Sequence, residues 1–225
     1  PQHLGRIIRD NDITRKRLRT KHQPKTYRGK ERNHNQEVKD YVDNMKKYDI
    51  NKIIALDETG IYAELHTTYG RCDLGKRCSY KTTDNKVFKK YSLLIAINTK
   101  GVVGWKLYGE RKGGVKTTDI LEFYDEFIKN NYKNYLIIMD NAVIHRSKLI
   151  KTKIEETGNN LLYSVRYHPE TNSIEEFFSQ LKHYIKKKSP NTFEDIKLTI
   201  KDIIKNKIKK EHLRNYLKHS FRIYE

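Results

Sequence analysis

Two short apolar runs, each stopped by an aspartate, constrain this chain more than any other feature. Leu136-Ile137-Ile138-Met139 ends at Asp140-Asn141, and Ile53-Ile54-Ala55-Leu56 ends at Asp57. An apolar run of four bounded by a carboxylate reads as a buried strand that delivers an acid to the C-terminal edge of a sheet. If the two strands are neighbours, the carboxylates of Asp57 and Asp140 lie side by side. Like charges that close raise each other's pKa unless a cation sits between them. Mg²⁺ or Mn²⁺ suits such a site, because hard oxygen ligands and open water positions favour those ions.

A third acid is expected from the helix that opens at Asn172. Its apolar residues are Ile174, Phe177, Phe178, Leu181 and Ile185. At about 100° per residue, Glu175 lies just off the edge of that stripe and Glu176 nearly opposite it. Glu175 is therefore expected to reach along the sheet edge and Glu176 to face solvent. Each acid also has a plainer reading. Asp57-Glu58 can cap a turn, Asp140-Asn141 can cap the following helix, and Asn172-x-x-Glu175 is close to a capping box. What tips the balance is that all three stand at element ends in a chain of net charge +19. A charge that large favours a polyanionic partner, nucleic acid above all, over a merely lysine-rich surface.

The remaining segments fit one α/β core, which 225 residues are enough to build. A helix is expected from Gln36 to Lys47, with Val38, Tyr41, Val42 and Met45 on one face. Lys52 to Leu56 reads as the first strand and Ile61 to Leu65 as a second. Tyr91 to Ile97 and Val102 to Tyr108 flank Asn98-Thr99-Lys100-Gly101 as an antiparallel hairpin, with Trp105 in its core. A helix near Thr118-Asp119 presents Ile120, Tyr124, Phe127 and Ile128. Another runs from about His145 to Glu156 and ends at Gly158. Leu161 to Tyr163 is a short strand, and the chain closes with helices from Phe193 to about Ile208 and from Glu211 to about Phe221. This order predicts an α/β fold in which a central mixed sheet, an antiparallel hairpin plus parallel strands, is flanked by helices on both faces.

Residues 1–35 read differently from 36–225. The first 20 suggest a helix, a turn at Asp10-Asn11-Asp12 and a basic run with Arg15, Lys16 and Arg17, which together fit the remnant of a helix-turn-helix module. Residues 19 to 35 read as a basic linker able to track a phosphate backbone. The chain starts Pro1-Gln2-His3-Leu4, with neither a signal-peptide core nor an initiator Met, so it reads as a piece of a longer one. Cys72 and Cys78 are the only cysteines. They make no disulfide framework and lack the paired spacings of a zinc site, so an intracellular, non-secreted protein is expected. No run is long and apolar enough for a membrane span.

Three segments together, LDETG (56–60), IIMDNAVIH (137–145) and YHPETNSIEEFFSQLK (167–182), resemble transposases of the mariner-like superfamily and related bacterial insertion-sequence enzymes. Those carry Asp-Glu after a first strand, Asp-Asn-Ala-x-x-His after a later one, and Pro-Glu-x-Asn-Pro-Ile-Glu before the last catalytic helix. The 34 residues between Asp140 and Glu175 are a spacing typical of that group. Ser173 departs from its usual Pro, and Arg71 stands where an aromatic is common.

The resemblance covers about residues 50 to 190. It implies an RNase H-like fold and a catalytic triad of Asp57, Asp140 and Glu175 holding two Mg²⁺ or Mn²⁺ ions. Asp57 would bridge both ions, with Asp140 and Glu175 each holding one side. The implied reaction is metal-dependent hydrolysis at transposon ends, followed by transfer of the freed 3′-hydroxyl into target DNA. The implied partners are double-stranded DNA and a second copy of the chain, with no membrane and no small-molecule substrate.

Glu58, Asn141, His145 and Asn172 are then expected to position the acids or the DNA, although His145 reads equally well as a helix-start residue. Arg15, Lys16, Arg17, Arg71, Lys76 and Arg77 are DNA-binding candidates. Lys186, Lys187 and Lys188 either line a DNA path or form a solvated helix face. A fragmentary or domesticated relative that binds DNA without cutting, or another RNase H-like nuclease, are the alternative readings.

Overall fold

The structure is a computed structural model and describes residues 10, 23–62, 71–77, 79, 89–110 and 114–222. The chain divides into two compact units, residues 1–33 and 34–225. Within the described part of the first, Thr26–Tyr27 (β1) and Lys30–Glu31 (β2) pair as a minimal antiparallel hairpin. Arg28 and Gly29 make its turn with φ of 51° and 75°, the left-handed values that a two-residue hairpin turn needs. The sequence reading had only a linker here. Residues 11–22, with Arg15, Lys16 and Arg17, lie outside the described residues.

The second unit is built on a five-stranded sheet in the order β5-β4-β3-β6-β7, where β3 is Ile53–Tyr62, β4 Lys90–Asn98, β5 Gly101–Tyr108, β6 Leu136–Met139 and β7 Asn160–Tyr163. β3, β4 and β5 run antiparallel, while β6 and β7 run parallel to β3 and to each other. The helices are α1 (His34–Met45), α2 (Thr117–Phe127), α3 (Lys148–Glu156), α4 (Ile174–Lys188), α5 (Phe193–Asn206) and α6 (Lys210–Phe221).

Strand alternation sorts the core into two layers. Ile54 and Leu56 of β3 and Ile137 and Met139 of β6 pack under Ile120, Phe123 and Tyr124 of α2 and Ile150 and Ile154 of α3. Ala55 and Ile61 point the other way, into Phe177, Phe178, Leu181 and Ile185 of α4 and Ile196, Ile200 and Ile203 of α5. Ile53 and Ile138, on that same face, meet Val38, Tyr41 and Met45 of α1 and Leu217 of α6. The strands are buried on both faces, which is why their sequences are apolar runs rather than alternations. The mixed sheet and its hairpin agree with the sequence reading, and Trp105 packs on the α4 side.

Three boundaries differ. The expected break after Leu56 does not occur, because β3 continues to Tyr62 along its antiparallel partner β4. What stops is the parallel partner, whose pairing with β3 ends at Ala55↔Ile138. Asp57 is therefore inside a strand, not at its end. α3 starts at Lys148 after an extended Ser147, leaving His145 outside the helix. α4 starts at Ile174, because Pro169–Thr171 forms a separate 3₁₀ turn ahead of it.

Candidate active site

The register that ends the parallel pairing also builds the site. Two residues beyond Ala55↔Ile138 stand Asp57 and Asp140. Both have the parity of the face that α4 covers, so the two acids project side by side beneath the start of that helix. Asp57 is buried, and each of its oxygens accepts a hydrogen bond. Oδ1 takes the backbone N–H of Glu58 at 2.8 Å, and Oδ2 takes the side-chain amide of Asn172 at 2.7 Å. Burial first, then the charges of Asp140 and Glu58, push its carboxyl well above the usual range. Those charges are what a bound cation would offset.

Asp140 is half-buried. Its Oδ1 accepts from the Ala142 N–H at 2.8 Å and meets His145 Nδ1 at 2.5 Å. Burial raises the Asp140 carboxyl, but the bonds from His145 and Ala142 and the charges of His145 and Arg166 outweigh it and hold it below the usual range. His145 is buried, and its other ring nitrogen reaches Glu58 Oε2 at 2.8 Å. An imidazole between two carboxylates must donate from both nitrogens, which requires its charged form. Burial works against that form, yet the bonds to Asp140 and Glu58, with the charges of Glu58 and Asp57, raise its pKa to about 10. The sequence reading left open a helix-start role for His145. Its place is instead that of a buried cation joining two acids.

Asp57, Glu58 and His145 each present one possible ligand atom within 4.8 Å of the others. Both imidazole nitrogens are committed to carboxylates, so the donors that remain for a metal are carboxylate oxygens. The buried Oδ1 of Asn172 adds to them, since it has no hydrogen-bond partner. An all-oxygen set with excess negative charge fits a hard divalent ion such as Mg²⁺ or Mn²⁺.

Glu175 is exposed on the first turn of α4 and lines a cleft of about 390 Å³ together with Asp140, Asn141, Asn172 and the segment 164–169. Burial on its cleft side and the charge of Asp140 raise its carboxyl, while Lys182 opposes them. The capping-box alternative does not hold for Asn172, whose side chain goes to Asp57 rather than to a helix amide. Glu176 keeps its side chain 40% exposed and pairs there with His219 of α6, which packs beside α4. Asn141 donates its amide to the Ser164 carbonyl, tying the turn after β6 to the segment after β7.

The basic candidates are dispersed. Arg71, Lys76 and Arg77 are exposed, and Lys76 pairs with Asp73 at 2.8 Å. Cys72 is exposed, and Cys78 lies outside the described residues. Lys187 and Lys188 are exposed, and Lys188 is tied to Asp202 of α5 at 2.5 Å. Lys182 was missed by the sequence reading. It is half-buried, and burial lowers its pKa against the pull of Glu175, with Lys186 and Lys90 adding to the lowering. Its i+7 spacing from Glu175 puts both on one helix face and was the available signal. Arg166 of the cleft wall lies just outside the recognised segment that begins at Tyr167.

A family model described as the DDE superfamily endonuclease matches residues 52–197. No curated protein matches the chain. Among solved structures, the chain is similar to the Mos1 strand transfer complex, with a TM-score of 0.73, 16% identity, and 98% of this chain and 67% of that one covered. The Mos1 mariner paired end complex with Mn gives 0.73 and 16%, covering 98% and 68%. The catalytic domain of Mos1 mariner transposase gives 0.64 and 13%, covering 84% and 87%. At these identities the likeness is one of fold, and the mixed sheet with its flanking helices is the RNase H-like fold of that domain.

Proposed function

The chain belongs to the DDE superfamily of endonucleases, and from that premise we propose that it is a transposase catalytic unit cutting and joining DNA strands. In this reading it hydrolyses phosphodiesters at transposon ends and transfers the freed 3′-hydroxyl into target DNA. Asp57, Asp140 and Glu175 are the catalytic acids and hold two Mg²⁺ or Mn²⁺ ions. When bound, such ions lower the pKa of the attacking water or hydroxyl and stabilise the leaving oxygen. The observation that carries the reading is that Asp57 and Asp140 each stand two residues beyond the last parallel pair, with Glu175 on the cleft that Asp140 lines.

The chain's own residues pre-organise that centre. Asn172 and the Glu58 N–H fix both oxygens of Asp57, while Ala142 and His145 hold Oδ1 of Asp140. Carboxylates held this way lose little freedom on binding a metal or a phosphate. The partners are double-stranded DNA, both transposon end and target, and a second copy of the chain. The net charge of +19 supports the DNA, as does the likeness of fold to Mos1 in its paired-end and strand-transfer complexes. The protein works inside the cell, where the DNA is. Among the described residues no helix is long and apolar enough to cross a membrane.

The test is cleavage of labelled duplex DNA with Mn²⁺ or Mg²⁺ by this chain and by its Asp140→Ala variant. Metal-dependent nicking or strand transfer that vanishes in the variant supports the reading. Equal activity in both points to a contaminating nuclease. DNA binding without cutting shifts the reading to a binding-only relative.

A further inference from the structure

Two clefts meet at the turn that follows β6. The first holds Asp140 and Glu175 on the α4 face. The second, of about 400 Å³, has Glu58, Gly60, Lys90, Ser92, Val143 and Ile144 in its wall. Ala142 lines both. Glu58 and Gly60 share the parity of Ile54 and Leu56, and Lys90 and Ser92 that of Leu94 and Ala96, so the second cleft lies on the α2 face of the sheet. The strand carrying Asp57 and the turn carrying Asp140 thus separate a cleft on one face from a cleft on the other.

Lys90 is placed in that second cleft by its neighbours. A Cβ on Gly60 would lie 2.5 Å from Cε of Lys90, so only the missing side chain lets the lysine stem lie across β3. The ammonium stands 5.8 Å from the centroid of the Tyr62 ring, a contact that steadies a cation without neutralising it. Lys89 is paired with Glu110 at 3.5 Å, but Lys90 makes no ion pair among the described residues. The other charge of the cleft, Glu58, is taken up by His145 at 2.8 Å. The half-buried hydroxyl of Ser92 adds a donor, and Val143 and Ile144 add apolar surface. One uncommitted cation, a hydroxyl and an apolar wall fit a phosphodiester, with its anionic oxygens and its apolar sugar.

We infer that Lys90 binds a backbone phosphate of the cut DNA strand, the one beside the scissile phosphate on the opposite side of the acids from Glu175. This rests on the DNA-cutting reading above. In-line displacement puts the attacking and leaving oxygens on opposite sides of the phosphorus. A strand cut within its length therefore leaves the acids in two directions, and the two clefts take one direction each. A lysine addresses phosphate as a point charge, so the contact sets the register of the strand and reads no sequence.

The test has a binding arm and a cutting arm. In the first, the affinity for a labelled duplex is followed against salt without Mg²⁺ or Mn²⁺. Lys90→Gln should lower the slope of log affinity against log salt by about 0.9, the share of one phosphate contact. Lys90→Arg should keep it, and so should Lys100→Gln, which removes the same charge beyond the other end of β4. An unchanged slope in Lys90→Gln overturns the inference. In the second arm, nicks made with Mn²⁺ are mapped on a duplex in which one phosphate is replaced by a neutral methylphosphonate. The unaltered chain should nick several-fold less at the linkage flanking the neutral one, on one side only. Lys90→Gln should nick less throughout and show no further loss at that linkage. Equal suppression there in both proteins also overturns the inference. Binding that depends on Lys90, with no nicking by the unaltered chain, sinks the DNA-cutting reading and keeps the phosphate contact. No binding by the unaltered chain sinks both.

Discussion

The side-chain amide of Asn172 donates to Oδ2 of Asp57 at 2.7 Å, across 115 residues of sequence. Both residues are buried. A hydrogen bond to a buried charge is worth about 1.5–3 kcal/mol, more than a neutral one. Asn172→Leu keeps the bulk and removes the donor. We expect cleavage to fall by at least about tenfold and stability by roughly 1–2 kcal/mol. Unchanged cleavage and melting would show that the bond orients nothing.

Asp57 is the acid whose ionised form is most opposed in the metal-free protein, by burial and then by Asp140 and Glu58. Asp57→Asn removes that opposed charge. Asn172 can turn its amide so that its unpartnered Oδ1 accepts from the new side chain, leaving the contact intact. The metal-free melting temperature should therefore rise, by about 2–4 °C for each kcal/mol released. The further rise that Mg²⁺ or Mn²⁺ gives the unaltered chain should disappear. Scanning calorimetry with chelator and then with metal decides it: an equal metal-induced rise in both proteins removes Asp57 from the ligand set.

His145 gives the metal-free chain a pH dependence of defined sign. Its folded pKa is raised to about 10, from 6.5 in the unfolded chain. The stability this supplies is present in full below about pH 6.5 and is lost progressively as pH climbs towards 10. His145→Asn keeps a polar side chain without the charge. The stability gap between the two proteins should be widest near pH 6 and shrink by pH 10 in urea titrations with chelator present. A gap that stays constant over that range would mean that the ring acts through packing alone.

The parts of this site legible in the sequence are those set by local pattern. The run Leu136 to Met139 stops at Asp140 because the strand does, and the β4–β5 hairpin follows from its turn residues. The end of β3 was misread because Glu58, Thr59 and Gly60 look like a turn. Pairing with Ser92, Leu93 and Leu94 of β4 keeps them extended instead. His145 and Asn172 were singled out by type, but their partners Glu58 and Asp57 lie 87 and 115 residues away and depend on the assembled sheet. Tyr167 stands in the recognised segment, but its left-handed backbone gave no signal, since that is a product of the bonds on either side of it.

Gly104 on β5 tests the face of the sheet away from the acids. A Cβ there would lie 2.4 Å from Cγ and 2.9 Å from Cβ of Phe127. Phe127 cannot swing freely, because its ring packs against Phe123 at a centroid distance of 4.8 Å. Gly104→Ala must therefore push α2 off the sheet, at a cost of about 1–3 kcal/mol. Gly101→Ala, at the turn of the same hairpin, meets nothing within 4 Å and should be nearly neutral. Pairing Gly104→Ala with Phe127→Leu should recover part of the loss, since a smaller side chain opens the space. α2 packs on the layer opposite Asp57 and Glu175, so cleavage well below the melting temperature should be unchanged in all three variants. A loss of cleavage in Gly104→Ala without a drop in melting temperature would instead mean that the two faces of the sheet are coupled.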